Sequence, residues 1–226
     1  MSMRMAGFAF GVVVLAGGVF CPLAADAQVT ARLEKAVAVF DEVTTMGDRA
    51  IPADLLRKAE CVAIIPGLKK GAFVVGAKFG RGFVSCRSGS AWSPPAGIRI
   101  EGGSVGFQIG GTEIDVVLAV MNKRGVDRLL SSAFTLGGDA SVAAGPLGRT
   151  ATAQTDAMMT AEILSWSRSR GVFAGVALDG ATLRGDDDAN RDLYGKKLSV
   201  RDIVTGEVDV YVPESARPLI QRLSKY

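Results

Sequence analysis

Gly102-Gly103-Ser104-Val105-Gly106 fits G-x-S-x-G, the pattern that presents a nucleophilic serine on a strained strand-to-helix turn in many hydrolases. The rest of the chain denies that serine a base. Its 226 residues include no histidine, the side chain whose unperturbed pKa lies near neutrality. Ser-His-Asp and Cys-His mechanisms are therefore excluded, as are histidine-ligated metal sites. The serine–lysine alternative lacks its S-x-x-K. On the C-terminal side of Ser104 the chain runs "FQIGGTEIDVVLAV", which reads as more strand, whereas a nucleophile elbow needs a helix. Ser104 is read as a strand residue, and no catalytic residue is assigned.

Other constellations fail in similar ways. No three glycines satisfy G-x-G-x-x-G, and no Walker-type loop ends in Lys-Ser or Lys-Thr. Gly102, Gly106 and Gly110 form overlapping G-x-x-x-G, but so many glycines would weaken a helix, and Glu113 and Asp115 come at once after them. In a strand the same spacing makes a smooth stripe on one face. "DDDANRDLYG" places Asp186, Asp188 and Asn190 like the start of a calcium loop. Arg191 then stands where the turn needs Gly, and Lys197 where the bidentate Glu belongs. The segment reads as a solvated acidic turn or helix start, and neither metal nor cofactor is expected. A His-free carboxylate hydrolase would need a paired set of acids, and the sequence singles out none.

Composition sets the frame for these residues. With 48% hydrophobic residues and mixed charges, the chain suits one globular domain with a real core. Residues 1–27 read as a signal peptide: Arg4 gives a positive start, Ala6–Phe20 an apolar run, and Ala25-Asp26-Ala27 a small-x-small cleavage site. The run is short for a membrane span of about 20 residues, and Phe20 before Cys21 does not suit a lipobox. The expected product is an exported chain, 28–226, in the periplasm or cell envelope. The leader carries one charge of each sign, so the mature chain keeps the net +3 of the whole. That bias is too mild to indicate a nucleic-acid partner.

Export leaves Cys61 and Cys86 in an oxidising compartment, which invites a disulfide. If 61–66, 72–79 and 82–87 form a meander, however, the two lie two strand spacings apart. That is roughly 9–10 Å, beyond disulfide reach.

Periodicity supplies the elements. Val29, Leu33, Ala36, Val37, Phe40 and Val43 mark one face of a helix over 29–46. Pro52 opens a shorter helix to about Glu60. "CVAIIP" reads as a buried strand that Pro66-Gly67 ends, and Gly80-Arg81-Gly82 as a turn between two further strands. "IRIE", "SVGFQI" and "TEIDVVLAV" are strands, and Asn122 caps a helix through Leu130. Short strands are expected at 139–145, 149–155, 159–168 and 172–178, and a last helix from about Pro213 to Lys225. The expectation is one α+β domain: a many-stranded, mostly antiparallel sheet or partial barrel with helices at its ends.

Several segments, in order, resemble the SYLF domain family. They are "CVAIIPGLKKGAFVVGAKFGRG" (61–82), "GGSVGFQIGGTEIDVVLAVMN" (102–122) and "LGGDASVAAGPLGR" (136–149). Two more are "SWSRSRGVFAGVALDGATLRGDDDANRDLYG" (165–195) and "DIVTGEVDVYVPESARPLIQRL" (202–223). The likeness is to the secreted bacterial branch. It implies lipid binding rather than catalysis, with an anionic lipid or membrane surface as partner. In eukaryotic relatives it implies phosphoinositide membranes and, in some, actin, with an N-terminal amphipathic helix thought to engage the lipid. Helix 29–46 departs there: Arg32 and Lys35 stand against Glu34, Asp41 and Glu42, with no basic face.

The candidate lipid contacts are Leu68, Lys69 and Lys70 in "PGLKKG", an apolar turn tip flanked by cations, and Arg168 with Arg170, alternate residues on one strand face. Arg81 and Lys78 are expected toward the opposite end of the strand pair. Two lysines near an anionic surface supply only about 2 kcal/mol, short of the roughly 4 kcal/mol of a millimolar complex. Inserted apolar groups, a bound tail or avidity must add to them. The alternative is a soluble envelope module whose glycine-lined sheet holds an apolar small molecule without membrane affinity. The sequence leaves oligomeric state and protein partners open.

Overall fold

Helix α1 (Leu23–Thr45) lies across one face of a curled sheet in the computed structural model, which describes residues 23–72, 75–105, 110–148, 160–169, 172–175, 178 and 180–226. It starts six residues before the expected helix and takes in the predicted cleavage segment. Val29, Leu33, Ala36, Phe40 and Val43 are buried as expected, and Val39 joins them, while Val37 is only partly buried. Helix α2 (Ala53–Lys58) comes directly after Pro52 and buries Leu56.

Two long strands organise the sheet: β1 (Cys61–Ala72) and β2 (Val75–Ser88). Both differ from the expected short strands, for local reasons. Pro66-Gly67 does not end β1. Gly67 takes φ +64 and its N–H donates to the Asp115 carboxylate at 2.9 Å. The pair makes a bulge that shifts register between Ile65 and Leu68. Gly80-Arg81-Gly82 is not a turn either. A Cβ on Gly82 would sit 2.1 Å from the Ile64 carbonyl, and one on Gly80 2.8 Å from Ile65 and Leu68. These glycines let β2 run unbroken against the bulged strand.

The expected meander therefore gives way to one hairpin, and Cys61 faces Cys86 directly. Their Cα atoms are 3.9 Å apart and the two form a disulfide. The separation expected from sequence was wrong because it rested on the false turn.

The remaining strands are β3 (Ala91–Trp92), β4 (Ala96–Val105), β5 (Gly110–Val120), β6 (Ala133–Thr135), β7 (Val142–Ala144), β8 (Ile163–Ser169), β9 (Val172–Gly175) and β10 (Thr182–Gly185). The sheet order is β6-β10-β4-β2-β1-β5-β8-β7, with β3 beside β2 and β9 beside β8. Every pairing between these strands is antiparallel except β7 with β8, so the α+β half-barrel matches the expectation. The strand expected at 149–155 lies outside the described residues.

Among the described residues four further α-helices follow: α3 (Lys123–Leu129), α4 (Asp187–Tyr194), α5 (Val200–Val204) and α6 (Arg217–Leu223). Asn122 caps α3 by accepting from the Gly125 N–H. Asp186 caps α4 and is fully buried, so the acidic turn is solvated at Asp187 and Asp188 but not at its first residue.

Two cores lie on opposite faces of the sheet. One, under α1, α2, α4 and α6, holds Val62, Ile64, Phe83, Val117 and Trp166. The other, under α3 and α5, holds Ile65, Leu68, Val84, Ile98 and Leu118. Among the described residues no helix is long and apolar enough to cross a membrane.

Candidate functional site

The four central strands β4-β2-β1-β5 share two ends of different character. At the end holding the disulfide, residues 61–65 and 83–86 are buried without exception. At the outer end, toward residues 72 and 75, the cross-strand pairs are Lys69 with Phe79, Lys70 with Lys78, and Gly71 with Ala77. Residues directly opposite share a face, so Lys69 and Phe79 lie on the α1 side and Lys70 and Lys78 on the other. Phe79 is 45% exposed, and the Arg81 guanidinium stands 6.0 Å from its ring centroid. Burial, then the field of Lys78, holds the Lys70 ammonium below the ordinary lysine range. A like-charged pair across a strand is destabilising in itself. This end of the sheet thus carries Lys69, Arg81 and the exposed ring on the α1 face and Lys70 and Lys78 on the other.

Beside this end a cleft of about 970 Å3 opens between the first half of α1 and the β1 bulge. Arg32, Lys35 and Val39 come from the helix, Lys69 and Gly67 from β1, Glu113 and Asp115 from β5, and Arg168 from β8. Arg168 bridges Asp115, whose Oδ2 accepts from its Nε at 2.7 Å, and Glu42 on α1. This chain of charges pins the helix to the sheet, and Arg222 on Asp41 at 2.8 Å ties it to the C-terminal helix α6. Burial pushes the Asp115 carboxyl up, while the Gly67 N–H and Lys35 draw it back and Glu113 adds to the rise.

Comparison with known proteins gives the family. The family model described as "Ysc84: Las17-binding protein actin regulator" matches residues 101–226. "SH3 domain-containing YSC84-like protein 1" of Rattus norvegicus is 35% identical over 83% of this chain and 55% of its own length. "Protein YSC84" of Saccharomyces cerevisiae is 35% identical over 78% of this chain and 38% of its own length. The chain belongs to the Ysc84 (SYLF) family. It spans about half the length, or less, of the curated relatives it matches, so their further domains are properties of those proteins.

Within the SYLF domain the sequence-based candidates separate. Lys69 and Lys70 stand together as expected, but in a strand rather than a turn tip. Leu68 is fully buried in the core under α3 and α5, because the bulge turns it inward, and it cannot probe a surface. Arg168 is committed to Asp115 and Glu42, and its partner candidate Arg170 lies outside the described residues. Lys78, expected at the far end, stands directly across from Lys70.

Phe79, Arg32 and Lys35 had no sequence signal as site residues. Phe79 carried the alternating pattern of a core face, and the two helix cations sat among acids. Only the register of β1 on β2 and the seating of α1 bring them together. Ser104 lies in β4, paired with Gly76, as the strand reading requires.

Proposed function

We propose that this SYLF domain is a non-catalytic, exported lipid-binding module of the bacterial cell envelope that meets an anionic phospholipid surface through the outer end of its β1–β2 hairpin. The observation that carries this reading is the gathering of Lys69, Lys70 and Lys78 at the same end of the sheet as the exposed ring of Phe79, with Lys69 on the ring's face and Lys70 and Lys78 on the other. Cations beside an exposed aromatic suit a surface that is anionic at its headgroups and apolar beneath. Three lysines contribute about 3 kcal/mol near such a surface, and the unburied half of a phenylalanine about 1 kcal/mol more. The total matches a millimolar complex, so avidity or a specific headgroup contact must supply the rest.

Export is inferred from the leader pattern at 1–27. Cleavage near Ala27 would remove only the first turn of α1 and leave the Val29–Val43 face that packs on the sheet. The family description names actin regulation. An exported chain meets a membrane before it meets a cytoskeleton, which favours the lipid partner.

The alternative of an apolar small molecule on a glycine-lined sheet is less well supported. Gly80, Gly82, Gly97 and Gly102 are each approached by the chain's own atoms, and the large cleft is lined by charges.

Co-sedimentation with phosphatidylglycerol vesicles tests the proposal. Binding is expected at low salt, weakened by salt and by Lys70→Glu/Lys78→Glu, a pair chosen because it lies away from the cleft. Absence of binding to any anionic vesicle would refute it.

A further inference from the structure

Two of the six charges that line the cleft beneath α1 already have partners. Asp115 accepts from the Gly67 N–H and from Arg168, and Arg168 also holds Glu42. Arg32, Lys35 and Lys69 are different: among the described residues none of the three makes an ion pair within 4 Å or a side-chain hydrogen bond. Arg32 and Lys35 are three residues apart and project from the same side of the helix. Lys69 stands on the opposing wall.

Arg32 is the more telling of the helix pair, because it is half-buried yet lacks a carboxylate in contact. It feels Asp186 and Asp192 only at longer range, and Asp186 is itself 3.4 Å from the Arg81 Nε. A guanidinium that has lost water without gaining a partner is poised for an anion. Glu113 is the one lining carboxylate without an ion pair among the described residues, and it lies over Gly67, where a Cβ would be 2.6 Å from its Oε1. Three uncommitted cations thus face one uncommitted carboxylate, a balance that suits a dianion. A phosphate monoester carries about −1.5 to −2 at neutral pH and presents three acceptor oxygens. The cleft volume of about 970 Å3 also leaves room for a headgroup, since small-molecule clefts run to about 1,000 Å3.

We propose that this cleft binds a phosphate monoester group, with Arg32 and Lys35 of α1 and Lys69 of β1 as its cations, so that the bound group ties the helix to the sheet. The proposal rests on the lipid-binding reading in so far as it supplies the headgroup contact that the hairpin end lacks. The shared chemistry is a terminal phosphate, whether on a lipid such as phosphatidic acid or free in solution. A phosphodiester, with a single charge, fits the balance less well.

Calorimetric titration of the purified protein with glycerol 3-phosphate, inorganic phosphate and the diester glycerophosphoglycerol tests the site. The monoesters should bind one to one, at least about tenfold more tightly than the diester, and raise Tm. Arg32→Gln/Lys35→Gln should weaken monoester binding about 30-fold, as expected for two lost charges at about 1 kcal/mol each. Lys35→Gln alone changes an exposed side chain that leaves the core intact, and should weaken it about fivefold. Equal binding of monoester and diester, or unchanged affinity in a folded Lys35→Gln variant, would overturn the assignment.

Vesicles separate the sources. A lipid-derived phosphate gives tighter binding to phosphatidic acid than to phosphatidylglycerol vesicles, a preference lost in Arg32→Gln/Lys35→Gln. A free phosphate ligand gives soluble binding with no such preference. If that double variant still binds phosphatidylglycerol vesicles as the parent does while parent and variant bind monoester alike, the cleft assignment fails and the lipid reading stands. If the parent binds monoester but no vesicle, the cleft stands and the lipid reading fails.

Discussion

The two ends of the β1–β2 hairpin are built from the same strands and serve opposite purposes. At the inner end, the Cys61–Cys86 disulfide joins the strands. Arg87 donates to the Ala59 carbonyl at 2.9 Å and the Arg57 carbonyl at 3.0 Å, closing the end of α2. Side chains there alternate between two cores. Past the bulge at Pro66-Gly67 the same alternation continues with lysines and one exposed ring, and like charges stand across from each other. One end supplies the stability that lets the other carry charge and apolar surface in the open. The bulge divides them, and it also turns Leu68 to the core and Lys69 to the cleft.

If that contrast holds, changes at the inner end should lower stability and leave vesicle binding intact, and changes at the outer end should do the reverse. Cys61→Ala/Cys86→Ala should cost the most, about 3 kcal/mol for a loop of this length. For a chain of this size, Tm should fall by ~6–12 °C, with vesicle affinity of the folded protein unchanged. Gly82→Ala should come next at about 2 kcal/mol, because its Cβ meets the Ile64 carbonyl, which is backbone and cannot step aside. Denaturant midpoints would measure it.

At the outer end, Lys70→Glu/Lys78→Glu should weaken binding to phosphatidylglycerol vesicles by about 30-fold or more, with Tm little changed because one like-charged pair replaces another. The smallest effect is the most specific. Lys70 titrates lower in the fold than in the unfolded chain, so its charged form opposes folding at neutral pH. That penalty is relieved as pH rises through the folded pKa toward the unfolded value. Lys70→Gln should therefore raise Tm by ~1–2 °C at pH 7 after screening by solvent. The gain should shrink above pH 10 or in high salt, as paired melts would show.

Much of the architecture was legible because periodicity reports burial. The α1 face, the Asn122 cap, the last helix and the α+β half-barrel all follow from spacing and capping residues. The hairpin was not legible, since glycine serves two ends. Gly80 and Gly82 look like a turn by type, and only the neighbouring backbone of Ile64 and Ile65 shows that they permit close approach. Pro66-Gly67 likewise looks like a strand end, and the Asp115 carboxylate that receives the Gly67 N–H lies 48 residues away. Misreading those two places separated Cys61 from Cys86 and Lys70 from Lys78, and exposed Leu68 in error. Lys69 and Lys70 were found because paired cations are visible in one dimension. Phe79, Lys78 and the helix cations Arg32 and Lys35 depend on register and helix seating.

The outer end as the membrane-facing surface is tested most directly by an environment-sensitive fluorophore placed at each end of β2. Ala77→Cys and Ser88→Cys both label exposed positions of that strand, about 36 Å apart. With phosphatidylglycerol vesicles, the label at 77 should brighten and shift to the blue, and the label at 88 should keep its aqueous spectrum. Equal responses at the two positions, or a response at 88 alone, would contradict the account.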